Sequence, residues 1–149
     1  MAVNFFDTSA LVKRYVNESG TDAVVDICND ASATLVIADI TRAELISALN
    51  RRARDGSISE DEHQLLKAAF AMHLIRDYLL AAVEPAHITA ACELIEHHGL
   101  RAYDAVQLAV AVAVRRKLLG ASAEPFRFVS ADADLTAAAK AEGMSVVEP

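Results

Sequence analysis

Apolar positions along the chain alternate between two textures: short runs of three to six residues, and longer stretches with helical spacing. Val3, Phe5 and Phe6 form the first short run. Asp7, Thr8 and Ser9 end it, and Leu11, Val12 and Tyr15 then follow a helical spacing over Ser9 to Val16. Thr34 to Ala38, Tyr78 to Val83, Phe126 to Val129 and Ser145 to Val147 read as further strands. Between them the spacing predicts helices. Thr21 to Cys28 carries Val24, Val25 and Ile27 on one face, and a helix from Thr41 to the break at Asp55-Gly56 turns Ala43, Leu45, Ile46 and Leu49 inward. Ser59 with Glu62 reads as a capping box opening a long helix through Leu65, Leu66, Ala69, Phe70, His73 and Leu74. Pro85 and Gly99 bracket a helix over Ala86 to His98. From Ala102 the body AVQLAVAVAV is apolar on nearly every face, the mark of a helix packed inside a domain. Arg115, Arg116 and Lys117 close it at the negative end of its dipole, with Gly120 as terminator. Asp132 to Glu142, followed by Gly143, is the last helix.

This alternation predicts a three-layer α/β/α domain with a central, mainly parallel sheet of about five strands. A chain of 149 residues fits one domain over residues 1–149, able to bury roughly 70% of the surface its unfolded form exposes. The two helices between Thr41 and Tyr78 have no strand between them and form a hairpin inserted into the alternation.

Composition narrows the function. With 54% hydrophobic and 23% charged residues the chain is an ordinary globule, not a disordered one. A net charge of −7 argues against coating nucleic acid through a broad basic face, since such binding neutralises phosphates with Lys and Arg. Cys28 and Cys92 read as reduced, buried side chains. The N-terminus lacks the features of a secretory signal, and the longest apolar run, Ala105 to Val114, is far short of the roughly 20 residues of a membrane span. A cytoplasmic protein with no membrane partner is expected.

The acids sort by position. Asp7 ends the first strand, Asp132 follows the fourth by two residues, and Glu44 and Asp104 occupy first turns of helices. All four fall at one edge of the predicted sheet, beyond the carboxyl ends of its strands, where ligands of open α/β sheets bind. Each alone has an ordinary explanation: Asp7 and Asp132 as N-caps, Glu44 and Asp104 as complements to helix dipoles. Together they are costly, because bare carboxylates about 5 Å apart repel by roughly 3 kcal/mol per pair at an effective dielectric near 20. A divalent cation removes that cost, and all-oxygen ligation points to Mg²⁺ or Mn²⁺. Such a site suits phosphoryl chemistry.

The motifs FDTSALVKRY, TRAEL, LRAYDAVQLA and FVSADADL, with a trailing AAKAEGMSVVEP, resemble the PIN-domain ribonucleases, most closely the VapC-type toxins of type II toxin–antitoxin pairs. The resemblance runs in order over nearly the whole chain. It implies a metal-dependent endoribonuclease with Asp7, Glu44, Asp104 and Asp132 as the acidic site. It also implies an RNA substrate, a homodimer and neutralisation by a cognate antitoxin. Asp132 has the family's S-x-D spacing from Ser130, while Asp134, two residues on, could share or take that ligand role. Asp39 reads as a cap, since Glu44 holds the family's position within TRAEL. Hydroxyls of Thr8, Ser9 and Ser130 are candidates for contacts behind the metal ligands, or for helix capping.

The expected division of labour has Asp7, Asp104 and Asp132 binding one Mg²⁺ directly or through water, while Glu44 helps orient or deprotonate the attacking water. Lys13, Arg14, Arg51, Arg52, Arg54 and Arg101 could line an RNA path or simply be solvated helix faces. His63, His73, His87, His97 and His98 show no zinc-site spacing, and no glycine-rich nucleotide motif occurs. The rival reading is a PIN-like fold with a silent nuclease, serving as an interaction or RNA-binding module. The hairpin Thr41 to Tyr78 is the expected docking surface for an antitoxin or second protomer.

Overall fold

A computed structural model describes residues 2–119 and 125–149. Strands β1 (Val3–Phe6), β2 (Thr34–Ala38), β3 (Tyr78–Ala81), β4 (Phe126–Val129) and β5 (Ser145–Val147) form one sheet in the order β3-β2-β1-β4-β5. Every pairing is parallel. Helices α1 (Thr8–Leu11), α2 (Thr21–Asn29), α3 (Thr41–Arg54), α4 (Glu60–Arg76), α5 (Pro85–His98), α6 (Ala102–Leu119) and α7 (Ala133–Ala141) cover both faces, giving the expected three layers.

Alternation along the strands divides the core in two. Val3 and Phe5 of β1, Val36 and Ala38 of β2, and Phe126 and Phe128 of β4 face α5, α6 and α7. Phe5 and Phe128, opposite each other in the ladder, stack at 5.9 Å. On the other face Phe6, Leu35, Ile37 and Val129 meet Leu11, Val24, Leu45, Leu49 and Phe70 of α1 to α4. Because strands β1, β2 and β4 are covered on both sides, their sequences read as continuous apolar runs.

The helix hairpin is anchored by a polar network. Arg14, in a 3₁₀ turn (Val12–Arg14) after α1, donates to Tyr78 Oη (2.7 Å) and to Asp77 Oδ2 (2.8 Å). Tyr15 Oη lies 2.7 Å from Tyr78 Oη and 2.8 Å from His73 Nδ1.

Several local expectations change. The first helix is shorter than Ser9 to Val16 because it gives way to the 3₁₀ turn. The strand from Tyr78 stops at Ala81. Ala43 is exposed and Ile46 is 40% exposed, so neither points inward as its spacing suggested, and Leu65 of α4 is 71% exposed. Asp39 does not cap α3; its carboxylate pairs with Arg42 Nε at 2.6 Å. Cys28 is half-buried and Cys92 exposed, both as free thiols. Ser59 caps α4, accepting from Glu62 N at 3.1 Å, and Gly99 ends α5 at φ +68°. Gly120 lies outside the described residues. Among the described residues no helix is long and apolar enough to cross a membrane.

Candidate active site

β1 is the middle strand, with β2 on one side and β4 on the other, so chain order reverses at the β1/β4 boundary. Such a switch point opens a crevice beyond the strand ends. Asp7 follows β1 directly and Ser130 follows β4. Asp7 N donates to Val129 O (3.1 Å), which locks the two strand ends together.

A cleft of about 620 Å³ opens at this edge, lined by Asp7, Glu44, Asp104 and Asp132 among others. The four acids thus arrive from four separate segments: the ends of β1 and β4, and the first turns of α3 and α6. Thr8 and Ser9 line the same cleft. Asp134 does not; it is exposed and faces a separate hollow beside His98 and Gly99.

Asp7 is 3% exposed and heavily hydrogen-bonded. Oδ1 accepts from Ala10 N (3.0 Å), capping α1, while Ser9 Oγ lies 2.8 Å from both carboxylate oxygens. Ser130 Oγ donates to Oδ2 (2.9 Å) and accepts from Asp132 N (3.1 Å). Ser9 Oγ also accepts from Ala131 N at 2.9 Å. The two serine hydroxyls therefore join Asp7 to the segment that carries Asp132. Burial nevertheless pushes the Asp7 carboxyl up to about 6, against the lowering effect of Ala10, Ser9 and Ser130. Asp104 is raised as well, first by burial and then by the charges of Asp132 and Glu44.

One residue central to the site was not singled out from the sequence. Gln107, 1% exposed, directs Nε2 at Thr41 Oγ1 (2.7 Å), Glu44 Oε1 (2.8 Å) and, more weakly, Thr8 Oγ1 (3.3 Å). An amide nitrogen carries two hydrogens, so the two nearer acceptors take them. Its signal was there: a polar residue interrupting an apolar helix three positions after Asp104, hence one turn along the same face.

Of the basic residues, Lys13, Arg51, Arg52 and Arg101 line the cleft. Glu18 joins two of them, 3.6 Å from Lys13 Nζ and 3.3 Å from Arg52. Arg14 is committed to the hairpin network, and Arg54 does not line the cleft.

The donors at this edge are carboxylate and hydroxyl oxygens, the ligand chemistry of a hard divalent cation, and the charges of Asp132 and Glu44, which raise Asp104 after burial does, are a repulsion that a cation would offset. Among the described residues no three acidic, His or Cys side chains converge closely enough to enclose an ion. Three of the four acids are held by bonds of their own. Asp132 Oδ1 caps α7 through Leu135 N (3.0 Å), Glu44 Oε1 is held by Gln107, and Asp7 by its serines. Asp132 and Glu44 each keep a second oxygen for another partner.

Among curated proteins no sequence matches the chain. Solved structures share its fold: VapC20 of Mycobacterium tuberculosis, described as a sarcin-ricin loop cleaving toxin, is 20% identical with a TM-score of 0.69, covering 98% of this chain and 99% of its own. The VapBC2 complex of Rickettsia felis, bound to a DNA fragment from its promoter, contains a chain 14% identical with a TM-score of 0.62 and 98% coverage of both. PAE2754 of Pyrobaculum aerophilum is 19% identical with a TM-score of 0.57, covering 98% of this chain and 90% of its own. The PIN domain family model matches residues 5–141, nearly the whole chain, and the protein belongs to the PIN-domain family.

Proposed function

We propose that this PIN-domain protein is the toxin of a type II toxin–antitoxin pair, a Mg²⁺- or Mn²⁺-dependent endoribonuclease acting on single-stranded RNA. The observation that carries the reading is the gathering of Asp7, Glu44, Asp104 and Asp132 in one cleft walled by Lys13, Arg51, Arg52 and Arg101. Acids to bind a cation and bases to meet phosphates are what phosphodiester hydrolysis requires. The fold shared with a sarcin-ricin loop cleaving toxin supports the choice of RNA.

In this reading Asp7, Asp104 and Asp132 would hold the metal, directly or through water, with Ser9 and Ser130 fixing Asp7 from behind. Bound there, the cation supplies charge stabilisation at the phosphate and a more acidic water. Glu44, steadied by Gln107, orients the attacking water and accepts its proton. The water oxygen bonds to phosphorus as the P–O3′ bond opposite it breaks, and the departing 3′ oxygen takes a proton from solvent, leaving a 5′-phosphate and a 3′-hydroxyl. Asp134, exposed and outside the cleft, is the weaker candidate for the fourth acid.

An antitoxin partner is supported by the VapBC2 complex with the same fold. Leu65, Met72 and Ile75 of α4, respectively 71%, 52% and 91% exposed, support the hairpin as the surface where antitoxin or second protomer docks.

Incubating purified, antitoxin-free protein with RNA in EDTA, and again with Mg²⁺ or Mn²⁺, tests the reading. Cleavage that appears only with metal is expected. RNA bound but left uncut under all conditions would favour the silent interaction module, and cleavage indifferent to EDTA would remove the metal from the account.

A further inference from the structure

We propose that Tyr103 forms one wall of a nucleobase subsite beside the acidic cleft, a specificity pocket for a nucleotide flanking the cut. This deepens the nuclease reading and rests on it. The first observation is exposure. The chain holds five Phe, three Tyr and no Trp. Phe5, Phe6, Phe70, Phe126, Phe128, Tyr15 and Tyr78 are all 8% exposed or less, whereas Tyr103 is 61% exposed. A ring left in water beside a polar cleft, in a chain that buries all its other aromatics, offers a stacking face.

The second observation is a cavity of about 490 Å³ adjoining the acidic cleft. Ile40, Ala43 and Ser47 line this cavity and not the cleft, while Thr8, Glu44, Arg51 and Tyr103 line both. Its size falls within the roughly 300–1,000 Å³ typical of small-ligand sites. The chemistry is that of a nucleotide. Ile40 and Ala43 give apolar walls, Tyr103 an aromatic face, Ser47 a hydroxyl able to read a base edge, and Arg51 a cation for the connecting phosphate. Tyr103 and Asp104 both line the acidic cleft, so a base stacked on Tyr103 belongs to a nucleotide near the phosphate held by the acids.

The test pairs protein and substrate changes. A single-stranded RNA oligonucleotide that the protein cuts is compared with two copies carrying one abasic nucleotide, on the 5′ or the 3′ side of the cut. Tyr103→Ala should raise KM on the intact oligonucleotide by about five- to 150-fold, the range of one base–aromatic stack. The effect should shrink to less than twofold on one of the abasic copies, and Tyr103→Phe should recover most of the lost affinity. An unchanged KM, or an equal loss on all three oligonucleotides, overturns the subsite. Affinity for the same oligonucleotides, read by fluorescence anisotropy in an Asp7→Asn background with and without Tyr103→Ala, separates this from the nuclease reading. If the parent cuts no RNA, the nuclease reading fails. The subsite is then judged by binding alone, where loss on intact RNA only supports it and equal binding overturns it.

Discussion

Ser130 Oγ, at the end of β4, donates a 2.9 Å hydrogen bond to Asp7 Oδ2, at the end of β1 and 123 residues away in the chain. The same oxygen accepts from Asp132 N, so one hydroxyl links two of the four acids. Donors to a carboxylate favour its ionised form. Ser130→Ala removes one, moving the Asp7 carboxyl above its present value of about 6. The acid limb of the RNA cleavage profile should therefore shift to higher pH, and the fold should lose about 1–3 kcal/mol. A pH–rate profile beside a urea titration checks both.

Asp7 also has a calculable effect on stability. Its carboxyl rises from an ordinary 3.8 to about 6 in the fold, so folding favours the protonated form. That contribution is complete below pH 4 and is lost as pH rises through 6. Asn keeps a capping oxygen for Ala10 N without the buried charge. In EDTA, Asp7→Asn should match the parent near pH 4 and exceed it at pH 7.5 by up to about 3 kcal/mol. Urea titrations at the two pH values check this. Added Mg²⁺ should raise the melting temperature of the parent more than that of the variant.

Much of this fold was readable because its strands are short and the central ones, β1, β2 and β4, are covered on both faces. Thr34–Ala38, Phe126–Val129 and Ser145–Val147 occupy the bounds their apolar runs predicted. Helix faces were harder. α3 and α4 carry more apolar residues than the core accepts, and periodicity alone could not tell buried Leu45 from Ile46 or Phe70 from Leu65. At the cleft, capping and ligation looked like competing explanations for Asp7 and Asp132. Both residues do cap helices, each through Oδ1. A carboxylate has a second oxygen, so the roles are compatible. Gln107 escaped notice because an isolated amide in an apolar helix shows no partner until α3 lies beside it.

Gln107→Leu tests what that amide does. Leucine fills similar volume but leaves Glu44 without its fixed donor and Thr41 without the amide hydrogen. Cleavage should fall about tenfold or more through kcat, while the melting temperature drops by only a few degrees. Steady-state kinetics on one oligonucleotide, with a thermal melt, separate positioning from folding. A loss confined to KM would assign Gln107 to RNA binding instead.

Asp77 gives the opposite pH signature. Arg76, then Arg14, hold its carboxyl down to about 2, and the Arg14 contact pins the hairpin to the 3₁₀ turn. Its contribution is complete above the ordinary 3.8 and is lost as pH falls through about 2. Asp77→Asn should cost about 1–3 kcal/mol at neutral pH, with the deficit closing as pH falls below 4. Denaturant titrations between pH 7 and the acid-unfolding limit follow the gap.

The most direct measurement of the central claim is RNA cleavage by Asp7→Asn, purified free of antitoxin and assayed with Mn²⁺ beside the parent, with its fold verified by the same urea titration. The acidic cleft predicts a folded variant whose cleavage is lost by at least a hundredfold, about 2.7 kcal/mol of barrier. A folded Asp7→Asn that cuts RNA at the parental rate would contradict the site, and with it the function assigned to this edge of the sheet.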